Sequence, residues 1–186
     1  MLKEELRYHY SELRRDFSPE AIDTASLSIA NQFLSLPVWS LNYFHIFLQI
    51  EAKKEINTQY ILSVLAGRDK NIVVPKIAQG NHFNNYLLTD NTRLVKNRWG
   101  IPEPAEGIEV PAEKIDLVFL PLLAFDLAGH RVGYGRGFYD NFLANCRRDV
   151  IKVGLSLFEA EAQISDINPR DIAMNYCLTP NTIYEF

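Results

Sequence analysis

The sequence predicts an α/β sandwich, a mainly parallel sheet with helices on its faces. Three observations carry that expectation. Leu117 to Leu123 (LVFLPLL) is apolar throughout and short, as a strand buried on both faces should be. A helical stretch, Phe138 to Arg148, follows it after a glycine-rich turn. Short apolar runs alternate with helical patterns along the rest of the chain.

The elements follow in order. Leu2, Leu6, Leu13 and Phe17 share one face of a helix over residues 2–16. Lys3, Arg7 and Arg14 fall on a second face. Ser18-Pro19 starts a second helix, with Ser as N-cap and Pro at the first helical position, and Pro37 stops it near Leu36. Asn42 to Ile50 (NYFHIFLQI) is aromatic and branched and reads as a buried strand. Glu51 to Asn57 is a polar loop, and Thr58 caps a helix ending near Gly67. Asn71 to Pro75 is a short strand and Phe83 to Thr89 a weaker one. Residues 97–113, with three prolines and two glycines, read as an ordered loop because they also carry Trp99 and Ile101. Ile151 to Leu157 and Tyr176 to Thr179 complete the strands. No repeat, low-complexity stretch or domain boundary interrupts residues 1–186, so a single domain is expected.

The totals exclude several classes. A net charge of −4 argues against general nucleic-acid affinity. The longest apolar candidate, Leu117 to Phe125, has strand length, well short of the roughly 18 to 20 residues a membrane helix needs. The first 17 residues are charged and amphipathic, without an apolar signal core. Cys146 and Cys177 lack metal-ligand spacing and suit a reducing compartment, so a cytoplasmic protein is expected.

The segment LPLLAFDLAGHRVGYGRGFYDNFL, Leu120 to Leu143, stands out against this acidic background. Gly133, Gly135 and Gly137 alternate, so backbone amides can approach a ligand closely. Arg131 and Arg136 add fixed positive charge suited to phosphate. Asp140 follows at a helix start, where a carboxylate can hold a divalent cation. The Walker A pattern is absent, and Phe138 stands where the dinucleotide fingerprint needs its third glycine. The segment is either a phosphate-binding loop or a tight turn between strand and helix, and the second reading must also account for Arg131, Arg136 and Asp140 in the same short span.

Other candidates carry two readings each. Lys3 and Arg7, one turn apart, either clamp an anion or form a solvated face. Glu55, in a loop after a strand, is either solvated or part of a ligand site. Trp99 to Pro104 is either a stiff surface loop or an aromatic wall over a flat ligand. Asp171, after Pro169, caps a short helix or binds metal.

Taken together these residues resemble the 5-formyltetrahydrofolate cyclo-ligase family. Its signature is roughly PGLAFD, a short spacer, then GxRLGxGxGYYD. Pro121, Ala124, Phe125, Asp126, Gly129, Arg131, Gly133, Gly135, Gly137, Tyr139 and Asp140 fit it. Lys3 and Arg7 match the family's amino-terminal KxxxR, and Glu55 to Thr58 its E-[IV]-x-T loop. Pro75-Lys76, Trp99 to Pro104 and Asp171 match further segments in the same order. Leu122 stands where the family has glycine, Phe138 replaces the first of two tyrosines, and Asn175 stands where a second aspartate is common.

The resemblance implies a Rossmann-like three-layer fold, of the sheet type shared with sugar-phosphate isomerases and CoA transferases. It implies a monomer acting on small molecules, with no nucleic acid and no membrane. ATP and Mg²⁺ would drive closure of 5-formyltetrahydrofolate to 5,10-methenyltetrahydrofolate through a phosphorylated formyl intermediate, releasing ADP and phosphate. Arg131 and Lys3 would be catalytic. Lys3, Arg7, Arg131, Val132, Gly133, Tyr134, Gly135, Arg136, Gly137, Phe138 and Tyr139 would bind ATP. Leu48, Glu55, Trp99 and Tyr139 would contact the folate, and Asp140 and Asp171 the metal. This requires Lys3 and Arg7 to fold back onto residues 131–140.

Overall fold

The structure is a computed structural model and describes residues 1–186. Helix α1 (Lys3–Arg15) leads into α2 (Pro19–Leu34), whose N-cap Ser18 accepts the Ala21 amide as the Ser-Pro pair predicts. Strand β1 (Tyr43–His45), helix α3 (Gln59–Gly67) and strands β2 (Asn71–Ile77) and β3 (Phe83–Leu87) follow. Then come β4 (Leu94–Lys96), β5 (Pro102–Pro104), β6 (Leu117–Pro121), β7 (Ala124–Phe125) and β8 (Arg131–Val132). Helix α4 (Phe138–Leu143), β9 (Ile151–Leu155), β10 (Tyr176–Leu178) and β11 (Ile183–Glu185) complete the chain.

Seven strands form one sheet in the order β11-β10-β9-β6-β1-β2-β3. The five inner strands run parallel, and only the edges β3 and β11 are antiparallel to their neighbours. Side chains alternate across it. Leu117 and Phe119 of β6 pack with Ile29, Phe33, Ile61 and Leu65 of α2 and α3. Val118 and Leu120 pack with Phe142 and Leu143 of α4 on the opposite face. A strand buried on both faces has no polar face to show, which is why residues 117–121 are apolar without a break. A third cluster seats Leu6 and Tyr10 of α1 on Leu123, Ala124 and Val132 of the β7–β8 hairpin.

Chain order reverses direction at the pair β1–β6. From β1 the chain moves to β2 on one side, and from β6 to β9 on the other. Parallel sheets of this kind open a crevice at such a point, between the loops that leave the carboxyl ends of the two strands. Here those loops are residues 46–58 and 122–137.

Several boundaries differ from the sequence reading. The buried face of α1 is Leu6, Tyr10 and Arg14, while Leu2 and Leu13 are exposed, because Arg14 finds internal partners that a leucine pattern does not anticipate. The first strand ends at His45: Ile46 still donates to Val73, and the chain then turns toward the crevice. Thr58 does not cap α3 with its side chain, and its hydroxyl donates instead to the Phe47 carbonyl, closing the loop before it. Residues 97–113 contain strand β5, which pairs with β4. Helix α4 stops at Leu143 because the Asn145 and Cys146 amides tighten to bonds three residues back. Strand β11, three residues at the edge, had no sequence signal of its own. No helix is long and apolar enough to cross a membrane.

Candidate active site

Between the two loops lies a cleft of about 410 Å³, lined by Lys3, Arg7, Leu48, Glu55, Trp99, and Arg131 together with Gly133 to Asp140 and Asp171. Of the residues expected to contact ATP, folate or metal, only Val132 does not line the cleft: it is fully buried beneath α1.

The amino-terminal helix does fold back. Arg7 Nε donates to the Gly133 carbonyl at 2.9 Å, and Lys3 Nζ pairs with Asp171 Oδ2. Asp171 caps no helix: it also accepts the Asn168 amide. Burial pushes its carboxyl up, but Lys3, the Asn168 amide and Arg131 outweigh that and hold it below the usual range. Gly135 and Gly137 sit at φ +84° and +68°, a left-handed backbone that few side chains adopt. At these two positions the loop presents backbone alone, between the side chains of Tyr134, Arg136 and Phe138.

Arg131 is almost wholly buried as a side chain. Its Nη2 donates to Asp140 Oδ1 at 2.6 Å and its Nη1 to the Ile172 carbonyl at 2.5 Å. It thus ties the start of α4 to the segment carrying Asp171. Asp140 and Asp171 each keep one carboxylate oxygen free of any protein donor. No three acidic, histidine or cysteine side chains gather to cage a metal. Two carboxylates, each with one free oxygen, beside the glycine-rich loop nevertheless fit Mg²⁺, which usually takes one or two carboxylates and completes its shell with water and substrate oxygens.

At the opposite wall Glu55 is only 3% exposed. Its Oε2 accepts the Ile50 amide at 2.8 Å and its Oε1 the Tyr134 hydroxyl at 2.7 Å. Burial pushes its carboxyl up, against the pull of Tyr134, Ile50, Arg14 and Lys53. The loop that carries it is pinned from several sides. Lys54, in a left-handed conformation, donates to the Arg15 and Phe17 carbonyls, Asn57 donates to Ser26, and Gln49 to the Glu55 carbonyl.

Tyr134 joins the two walls. Its hydroxyl reaches Glu55 while Lys53 Nζ lies 3.8 Å from its ring centroid. Phe138 stacks on Phe83 at 5.2 Å, so this position is filled by ring packing with no hydroxyl. Trp99 stands half-exposed at the β4–β5 turn, with Arg98 stacked on it. Asn175 lies outside the cleft and extends the β9–β10 pairing: its Oδ1 accepts the Lys152 amide and its own backbone amide donates to the Lys152 carbonyl. Leu122 follows β6 and is buried on α4's side of the sheet.

Sequence reasoning missed Lys53, Glu103 and Phe83 as lining residues. Glu103 is buried and accepts the Ile77 amide through Oε1. It lies within the Trp99 to Pro104 segment that resembles the family, but a charge between two prolines reads equally as surface, and the resemblance attaches no role to it.

A family model described as the 5-formyltetrahydrofolate cyclo-ligase family matches residues 1–180. The chain is 28% identical over 183 residues to the 5-formyltetrahydrofolate cyclo-ligase of Escherichia coli (strain K12), covering 93% of this chain and 97% of that one. It is 29% identical over 161 residues to the enzyme of the same name from Haemophilus influenzae, covering 83% and 84%. The NMR structure of Aquifex aeolicus 5,10-methenyltetrahydrofolate synthetase matches with a TM-score of 0.85 at 28% identity, over 100% of this chain and 93% of that one. With the fold, the glycine loop and the full-length match in agreement, this chain belongs to the 5-formyltetrahydrofolate cyclo-ligase family.

Proposed function

We propose that this chain converts 5-formyltetrahydrofolate to 5,10-methenyltetrahydrofolate at the expense of ATP, with Mg²⁺, releasing ADP and phosphate. The observation that carries this reading is the pairing of two chemistries in one cleft. A glycine loop flanked by Lys3, Arg7 and Arg136 faces a buried carboxylate, Glu55, across Tyr134.

The reaction must turn an amide-type oxygen into a leaving group. The formyl oxygen attacks the γ-phosphorus and the bond to ADP breaks. The second folate nitrogen then attacks the formyl carbon, loses its proton, and expels the oxygen as phosphate. Phosphoryl transfer of this kind asks for positioning and charge neutralisation more than for covalent help. Lys3, Arg7 and Arg136 supply charge, and the amides of Gly133 to Gly137 supply donors along the phosphates. Arg131 adds charge and orients Asp140. Asp140 and Asp171 would hold Mg²⁺, which neutralises phosphate oxygens when bound. Leu48, Trp99 and Tyr139 offer apolar surface to the flat ring, and Glu55 accepts hydrogen bonds from its N–H edge.

The test is optical. Protein mixed with 5-formyltetrahydrofolate, Mg²⁺ and ATP should develop the near-ultraviolet band of the methenyl product. The band should be absent without ATP and absent in Arg131→Ala. A flat trace from folded wild-type protein would sink the reading.

A further inference from the structure

Arg14 is the basic residue of α1 that reaches the interior, at 4% exposure. Its Nη2 donates to the Leu122 carbonyl at 2.5 Å and its Nη1 to the Tyr134 hydroxyl at 3.1 Å. It forms no ion pair, and its Nε has no partner. Burying a guanidinium without a carboxylate against it is costly, and a leucine would serve the helix face as packing. Packing therefore does not account for the residue.

Hydrogen-bond direction does. A guanidinium only donates, so the Tyr134 oxygen must accept from Arg14 and send its single proton elsewhere. That proton points to Glu55 Oε1, 2.7 Å away. Glu55 Oε2 meets the Ile50 amide, a second obligatory donor. Both carboxylate oxygens thus face donors, which favours the ionised form against the burial that disfavours it. What each oxygen retains is spare lone-pair capacity toward the cleft.

We infer that Arg14 is a positioning residue for the substrate: through the Tyr134 hydroxyl it holds the Glu55 carboxylate as an acceptor-only group turned to the cleft. Such a group selects a ring edge that carries adjacent N–H donors, as the amino-pyrimidinone edge of a pterin does, over one that carries acceptors. The inference rests on the folate reading proposed above and names the residue that enforces it. The groups facing Glu55 are Tyr134 of the glycine loop, Arg14 of α1, Lys53 of the preceding turn and Tyr139 of α4. Of these, Arg14 and Lys53 carry positive charge. Burial already pushes the Glu55 carboxyl up, so removing Arg14 or the hydroxyl should raise it further.

The experiment compares wild type, Tyr134→Phe, Arg14→Met and Arg14→Lys. Tyr134→Phe, which removes only the hydroxyl that meets Glu55 and keeps the ring and the loop backbone, and Arg14→Met should raise KM for 5-formyltetrahydrofolate about tenfold, the loss expected for one hydrogen bond to a charged group, and leave KM for ATP within about twofold. The acid limb of kcat/KM for the folate should move up by about one pH unit in both. Arg14→Lys should recover part of the loss, because an ammonium can still donate to the hydroxyl. The double variant should be no worse than Tyr134→Phe alone, as expected of two links in one chain whose last link is the hydroxyl.

Equal KM changes for both substrates, or an unmoved acid limb, in folded Tyr134→Phe would overturn the inference whether or not Arg14→Met folds. The same variants read by ¹³C NMR titration of the Glu55 carboxyl in ligand-free protein separate this from the cyclo-ligase reading. If wild type makes no methenyl product, that reading fails alone. A Glu55 titration that does not move in Tyr134→Phe overturns the positioning role by itself.

Discussion

Arg7 lies flat against Gly135: a Cβ on that glycine would meet the guanidinium carbon at 3.3 Å. The contact, with the hydrogen bond from Arg7 Nε to the Gly133 carbonyl, joins α1 to the glycine-rich loop. Gly135→Ala should act in two ways. The left-handed backbone at φ +84° costs an alanine about 1 kcal/mol, and the new methyl displaces Arg7. KM for ATP should rise by about tenfold or more while the folate KM changes little. A variant with unchanged ATP KM would show that Arg7 is not held in place by this contact.

Glu55→Gln separates the two substrates. The amide oxygen can keep the Ile50 amide, which leaves the nitrogen at the Tyr134 oxygen, so the Tyr134 proton loses its acceptor and the site loses its negative charge. Folate affinity should fall by about 10- to 100-fold, with ATP affinity nearly retained. Calorimetric titration of each ligand checks this, and an equal loss in both would contradict a folate-facing role.

Gly154 and Leu122 share one space. A Cβ at Gly154 would lie 2.7 Å from Leu122 Cδ2 and 2.5 Å from Met174 Sδ. Leu122, which stands where the family pattern has glycine, therefore occupies volume that glycine at 154 leaves free. Gly154→Ala should destabilise by about 1–3 kcal/mol through overpacking. Adding Leu122→Ala should return part of that loss, a coupling expected of residues in contact. Denaturant midpoints of the two single variants and the double variant test it, and simple additivity would refute the shared-space account.

His45 should make the protein acid-sensitive. The ring is fully buried, 4.5 Å from the Phe142 ring centroid, and burial pushes its pKa down to about 3. The unfolded chain binds a proton here below about pH 6.5, whereas the folded state resists it until about pH 3. The contribution is complete above about pH 6.5 and is lost as pH falls toward 3, by up to roughly 1.4 kcal/mol per pH unit. His45→Phe should flatten this slope relative to wild type. Equal slopes in the two proteins, from denaturant midpoints across pH 4 to about 7, would exclude His45 as the source.

The sequence by itself determined the parallel sheet and the glycine-rich loop that follows β6 and the β7–β8 hairpin. Both are local: residues 117–121 are apolar because they are covered on two faces, and residues 131–140 carry glycine, cation and carboxylate within one turn of chain. The Ser18-Pro19 start of α2 was legible for the same reason. Tertiary structure alone decided which distant groups meet. Lys3 reaches Asp171 across 168 residues and Arg7 reaches Gly133 across 126. Strand order put the loops after β1 and β6 side by side, and so placed Glu55 opposite the glycines. Arg14 shows the limit most plainly. Periodicity put it on a charged face with Lys3 and Arg7, yet it is buried because Tyr134 and the Leu122 carbonyl accept its hydrogen bonds. Spacing along a helix reports which side chains share a face, but whether a charge on that face can be buried depends on acceptors that only the folded topology brings to it.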